Sequence, residues 1–118
     1  RRQAIADRYH DALKGLVMPQ KLTDGATSSW AQYCVLLPET TDRSSIQACL
    51  KQKGIPTAIY YTQGIHQHPP YAAYPIEKGG LKVTGELCER IVALPFHAWL
   101  DDTTQDYIID GVIDALTA

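Results

Sequence analysis

The sequence predicts one small α/β (α+β) domain, a sheet of three or four strands covered by helices on one or both faces. Three observations carry this prediction. A chain of 118 residues, 45% hydrophobic and 20% charged, is long enough for one core and too short for two. Apolar residues recur at helical spacing near both ends and in two interior segments. Between them lie short aliphatic and aromatic runs bounded by turn residues, as strands are.

The elements follow in order. In "RRQAIADRYHDALKGL", Ile5, Ala6, Tyr9, Ala12, Leu13 and Leu16 fall on one helical face. No Ser, Thr, Asp or Asn cap precedes them and there is no initiator Met, so the helix starts in its own middle and the chain reads as a piece of a longer protein. "WAQYCVLL", Trp30 to Leu37, has the content of a buried central strand between "TDGATSS" and "PETTD". Asp42 or Ser44 caps a second helix, in which Ile46, Cys49 and Leu50 share a face and Gly54 supplies the stop. "PTAIYY" reads as a second strand over Thr57 to Tyr61. In "LKVTGELCERIVALP" the Val83, Leu87, Ile91 spacing is helical and the "IVALP" end is a third strand. The chain closes on an amphipathic helix capped by Asp101, Asp102 or Thr103, with Tyr107, Ile108, Val112, Ile113 and Leu116 toward the core. The connections are long enough for parallel or antiparallel pairing.

Charge and cysteines exclude several functions. A net charge of -2 without any block of Lys or Arg offers no footprint for nucleic acid. Three cysteines, Cys34, Cys49 and Cys88, stand at wide spacings without a Cys-x-x-Cys pair, which suggests neither a disulfide framework nor a zinc knuckle. Reduced thiols fit a cytoplasmic protein. No apolar run approaches the roughly 20 residues of a membrane span.

The unusual segment is "GIPTAIYYTQGIHQHPPYAAYP", Gly54 to Pro75, which holds four of the seven tyrosines and two of the four histidines. Phenols and imidazoles offer donors and acceptors to hydroxyls and phosphates, while their ring faces pack on the apolar faces of a sugar or base. Prolines preset such a loop and reduce the entropy lost on binding. The plainer reading is that Tyr60 and Tyr61 alternate in and out of a strand, one of them in the core, and that Tyr74 is structural. His66-Gln67-His68 raises a metal reading, since His-x-His on an extended segment puts both rings on one side; a third ligand would have to come from His97, His10 or a carboxylate.

Four blocks, "RRQAIADRYHDAL", "SSWAQYCVLLP", "LKQKGIPTAIYYTQGIHQHPPY" and "IVALPFHAWL", resemble in order and spacing the C-terminal part of the DegT/DnrJ/EryC1/StrS family. These are pyridoxal-phosphate-dependent aminotransferases acting on nucleotide-linked keto-sugars. The resemblance implies the small C-terminal domain of a fold-type I aminotransferase, spanning residues 1–118, with pyridoxal phosphate bound by an N-terminal domain before Arg1. It also implies a homodimer when full length, a nucleotide-sugar substrate and an amino-acid amino donor. By matching, Tyr61, His66 and Tyr71 are the substrate-binding candidates, with His68 beside them, and His97 matches a recurrent family position.

The chain departs from the family pattern at Thr62 and Gly64, where two prolines usually stand, and at His68, which replaces a Gln. A looser loop is the expectation. Trp30 reads as a core or interface anchor, and Gln32 as a residue that points to the cleft. The six lysines, Lys14, Lys21, Lys51, Lys53, Lys78 and Lys82, read as solvated charges, so no catalytic, cofactor-binding or metal residue is assigned. The competing reading is a free-standing, non-catalytic binding or regulatory module built on the same small domain.

Overall fold

In the computed structural model, which describes all 118 residues, four helices and three strands follow one another. They are α1 (Arg2–Ala12), β1 (Met18–Pro19), β2 (Tyr33–Leu36), α2 (Arg43–Gln52), α3 (Lys82–Arg90), β3 (Ile91–Leu94) and α4 (Asp102–Thr117), with a 3-10 turn at Ile65–Gln67. The sheet order is β1-β2-β3 and both pairings are antiparallel. Tyr33 stands opposite Leu94 and Val35 opposite Val92, so these four buried residues share the face toward the helices. Cys34, Leu36 and Ile91 lie on the opposite face, half-buried.

The core joins that sheet face to Ile5, Tyr9 and Leu13 of the first helical segment, Ile46 and Leu50 of α2, and Ile108, Ile109 and Val112 of α4. Its centre is aromatic. The Tyr9 and Tyr33 rings stack at 4.9 Å, and Tyr33 stacks on Phe96 at 5.9 Å. The Tyr9 hydroxyl donates to the Pro95 carbonyl at 2.8 Å, which lets a phenol sit in the interior with its polar end satisfied. Burial pushes both phenol groups well above their ordinary pKa. Trp30 is buried and its indole N–H donates to Gln3 Oε1 at 2.8 Å, making it a core anchor. Gln105 is buried too, and its Nε2 donates to the Ile5 carbonyl at 2.8 Å, tying α4 to α1. At Gly111 an added Cβ would overlap Ile55 Cδ1, so a glycine is what lets α4 lie against the segment that follows α2.

Several expectations need correction. Thr57 to Tyr61 is not a strand: only Ala58 pairs, exchanging backbone hydrogen bonds with Ala93 at 3.2 and 2.8 Å. Pro56 and Pro95, which would meet in the next bonded pair, both lack an N–H, and on the other side α3 ends at Arg90 immediately before β3. Tyr107 is 56% exposed rather than in the core; its hydroxyl donates to the Lys53 carbonyl at the end of α2. Ala12 is exposed and Leu16 only half-buried, because α1 stops at Ala12. Val83 and Leu87, on the apolar stripe of α3, are 68% and 41% exposed. The caps fall at Asp42, which accepts from the Ser44 and Ser45 amides, and at Asp101, which accepts from the Thr104 amide. Gly54 ends the α2 turn with φ of 73°.

These caps set the acid response. Hydrogen bonds from the Ser45 hydroxyl and the Ser45 and Ser44 amides hold Asp42 below the ordinary carboxylate pKa; the Thr104 amide and hydroxyl do the same for Asp101, and Arg1 and then Arg8 for Asp102. A depressed folded pKa contributes stability above the unfolded value, near ~3.9, that is lost as pH falls through the folded one. The expected result is a melting temperature insensitive to these groups near neutrality and falling once pH drops below about 5, with a shallower fall in an Asp42→Asn, Asp101→Asn double variant. Lys53 works in the opposite sense: its bond to Asp114 raises its pKa, so that contribution is present at neutral pH and disappears as pH rises past ~10.4. An acid limb of equal steepness in the double variant would overturn the assignment.

Candidate functional site

The Tyr/His segment leaves the sheet after Ala58 and returns at α3. It is held at its start by a close approach. Gly64 is buried, and a Cβ there would come within 2.7 Å of the His66 ring and 2.8 Å of the Thr84 methyl group. Gly64 therefore lets the backbone pass between the imidazole and the first turn of α3. Its N–H donates to Gln67 Oε1 at 2.9 Å while the Gln67 amide donates back to the Gly64 carbonyl at 2.9 Å, which closes the 3-10 turn that carries His66. Further tight turns follow, with Tyr71 N donating to His68 O at 2.9 Å and Tyr74 N to Tyr71 O at 3.0 Å. Pro69, Pro70 and Pro75 fit such turns because their φ is already set.

These turns bring His66 and Tyr71 to one open hollow of about 860 Å³. Tyr74, Glu77 and Thr84 line it as well, and Ile65, Ile76 and Leu81 supply aliphatic wall. The Tyr71 and Tyr74 ring centroids lie 6.4 Å apart at 45°, forming an aromatic corner. None of the side chains of His66, Tyr71, Tyr74 or Glu77 is hydrogen-bonded within the chain, so their polar atoms are free to meet a ligand.

Two of the expected residues lie elsewhere. Tyr61 is 70% exposed and meets Tyr60 edge-on at 5.8 Å, outside the hollow. His68 is exposed and lines no part of it. Neither Tyr60 nor Tyr61 is a core residue, because the strand that would alternate them is missing. Tyr60 lines a second, smaller hollow with Gln32, Thr57 and Phe96. Tyr74, 69% exposed, is not structural packing. Glu77 and Thr84 went unnoticed in the sequence; the signal available for Thr84 was a polar residue in the first turn of a helix that flanks the loop. No three His, Cys, Asp or Glu side chains come together as metal ligands, and His66 sits in a 3-10 turn, with only His68 after it on extended backbone. His97 is exposed.

A Schiff-base lysine must be desolvated to lower its pKa. Lys14, Lys21, Lys51, Lys78 and Lys82 are exposed, and Lys53 is ion-paired with Asp114 at 2.7 Å.

Residues 1–113 match the DegT/DnrJ/EryC1/StrS aminotransferase family. The chain belongs to that family. Its fold is that of the C-terminal part of such aminotransferases: a DegT/DnrJ/EryC1/StrS aminotransferase of Brucella abortus superposes with a TM-score of 0.91 at 37% identity, covering 99% of this chain and 31% of that one. Among relatives, the chain is 33% identical over 101 residues to a UDP-2-acetamido-2-deoxy-3-oxo-D-glucuronate aminotransferase of Pseudomonas aeruginosa, covering 85% of this chain and 26% of the relative. It is 33% identical over 116 residues to a dTDP-4-dehydro-2,3,6-trideoxy-D-glucose 4-aminotransferase of Saccharopolyspora spinosa, covering 93% and 28%. The chain thus spans between a quarter and a third of the length of these family members. The hollow and the loop that forms it lie wholly within the family match. No helix is long and apolar enough to cross a membrane.

Proposed function

We propose that the whole protein is a pyridoxal-phosphate-dependent aminotransferase that moves an amino group from an amino-acid donor to a keto-sugar carried on a nucleotide. Residues 1–118 form its C-terminal small domain, and a cofactor domain precedes Arg1. The observation that carries this reading is the convergence of His66 and Tyr71, with free hydrogen-bonding groups, on one exposed hollow in a member of this family. The two relatives at 33% identity are named for reactions of nucleotide-linked keto-sugars, which supports the substrate class. The small domain binds and orients; His66 and Tyr71 contact the substrate, and Tyr61 and His68 stand at the rim of the loop, within reach of a surface brought by the cofactor domain. The enzyme works in the cytoplasm as a homodimer. The exposed stripe of Val83 and Leu87 on α3 is apolar surface suited to such packing. A free-standing regulatory module is not favoured, since these relatives are aminotransferases.

The full-length protein, given an amino-acid donor and nucleotide-linked keto-sugars, should yield the amino-sugar nucleotide by mass spectrometry. Absence of amination across such substrates would overturn the proposal. The 118-residue chain alone behaves differently. Incubated with pyridoxal phosphate it should give no internal-aldimine absorbance that borohydride traps on one lysine, because five of the six lysines are exposed and Lys53 is ion-paired with Asp114. A stoichiometric adduct at a single lysine would show that the cofactor belongs to this domain.

A further inference from the structure

No residue of α3 is buried, so no packed core fixes the angle at which this helix leaves the sheet. That angle matters to the hollow, because Thr84 in the first turn of α3 lines it and closely approaches Gly64. Thr84 lies about 10 Å along the helix from Ile91 at the hinge, and a tilt of roughly 10° there would carry it by about 2 Å. Hydrogen bonds at the hinge end must therefore set the angle.

Arg43 supplies them. It stands in the first turn of α2, a helix anchored in the core by Ile46 and Leu50, and its Nη1 group donates to Cys88 O at 2.5 Å and to Ile91 O at 3.2 Å. Cys88 O is one of the carbonyls that a helix end leaves without a partner, and a cation there suits the helix dipole. Ile91 O is orphaned for another reason. It points to the same side of β3 as the backbone of Ala93, which bonds to Ala58, so a Tyr60 amide would claim it if that ladder continued. Arg43 takes this acceptor instead, at the place where the Tyr/His loop departs from the sheet. One guanidinium thus acts at both ends of the loop. Arg90 makes ties of a different kind, since its Nε bond to Leu37 O at 2.8 Å runs beside the Leu37 N to Arg90 O bond that already extends the β2–β3 ladder.

We propose that Arg43 is the positioning residue of the hollow: it sets the tilt of α3 and hence, through the contact of Thr84 with Gly64, the placement of His66 and Tyr71. This rests on the reading above that the hollow meets the nucleotide sugar. Arg43 lines no part of the hollow, so it acts only through the backbone it holds.

The test uses the full-length protein with Arg43→Met, which keeps an apolar stem but removes both bonds and the charge, and Arg43→Lys, which keeps the charge without the planar fork. Arg43→Met should raise KM for the nucleotide sugar by roughly tenfold or more with kcat within about threefold, and Arg43→Lys should fall between it and the wild type. In a His66→Ala, Tyr71→Phe background, where the hollow has lost those contacts, Arg43→Met should change KM by less than about twofold, whereas a merely structural role would add its full loss. Amide hydrogen exchange gives the direct reading: the amides of residues 85–90 in α3 should exchange roughly tenfold faster in Arg43→Met while those of β2 and α4 keep their rates. Faster exchange throughout the chain with an early melt would make Arg43 part of the scaffold and overturn the inference, as would unchanged exchange in α3 or additive losses in the triple variant. If the wild-type protein aminates nucleotide keto-sugars and Arg43→Met does so with the same KM, this inference falls and the enzyme assignment stands. If the wild-type protein aminates none, both fall.

Discussion

Tyr9→Ala is expected to lower the stability of the chain by about 3–5 kcal/mol, the range for truncating a large buried aromatic. Tyr9 has no solvent exposure, stacks on Tyr33 at 4.9 Å and donates to Pro95 O at 2.8 Å. Its removal leaves a void among α1, β2 and the segment after β3, and it strips a partner from the carbonyl of half-buried Pro95. Such a loss should move the melting temperature down by more than ~10 °C for a domain of this size. Tyr9→Phe separates the two contributions. It keeps the stack and loses only the hydroxyl, so it should cost about 0.5–1.5 kcal/mol in thermal or chemical unfolding. Equal losses in the two variants would mean that the ring is not the packing centre.

His66→Ala or Tyr71→Phe in the full-length protein should weaken turnover of the nucleotide sugar while leaving cofactor binding and melting temperature nearly unchanged. Both residues line the hollow, Tyr71 is 50% exposed, and neither side chain has a bond inside the chain to lose. Losing one hydrogen bond to a neutral group should cost roughly 0.5 to 1.5 kcal/mol, or about 1.5 to 3 if the partner is a charged phosphate. That range corresponds to rate or affinity losses of about twofold to somewhat over a hundredfold. Steady-state kinetics beside a melting curve decide the matter. Variants that melt much earlier yet keep normal kinetics when folded would make the loop structural and remove its role in binding.

The helices were legible because each carries its own period. Ile5, Ala6, Tyr9 and Leu13 repeat at helical spacing, as do Ile46 and Leu50, and the burial of all six follows. The junction from α3 to β3 was legible for the same reason, as the spacing changes from helical to extended at Ile91. Thr57 to Tyr61 has strand composition, but beyond Ala58 the next bonded pair would set Tyr60 against Ile91, where α3 has only just ended, and in the other direction Pro56 against Pro95, neither of which has an N–H. β1, two residues long, has no pattern of its own and exists only because Met18 and Pro19 lie across from Leu36 and Val35. Tyr107 lies one turn before buried Gly111, at the margin of the buried face of α4, and its hydroxyl finds the end of α2.

The site divides in the same way. The crowding of Tyr and His in one stretch marked the loop, and His66 and Tyr71 indeed meet. Tyr61 and His68 share that composition but fall on other sides of the tight turns, which no residue count reveals. Glu77 and Thr84 join the hollow through the docking of Gly64 against α3, a contact between residues twenty positions apart in the numbering. A glycine in a loop announces freedom of the backbone; that this one is needed for want of space is visible only when its neighbours are in place.

The loop that carries His66 and Tyr71 begins beyond a single backbone bridge, and its own hydrogen bonds run between residues three apart. It contributes no residue to the buried core. Closing a flexible loop costs free energy that grows only with the logarithm of its length, so doubling it adds about 0.6 kcal/mol. Insertions, deletions and replaced rings between Ile65 and Ile76 are therefore nearly invisible to folding, while each one reshapes the recognition surface. Selection can rewrite ligand choice in this domain without renegotiating the scaffold, provided Gly64 and the α3 turn it leans on stay as they are.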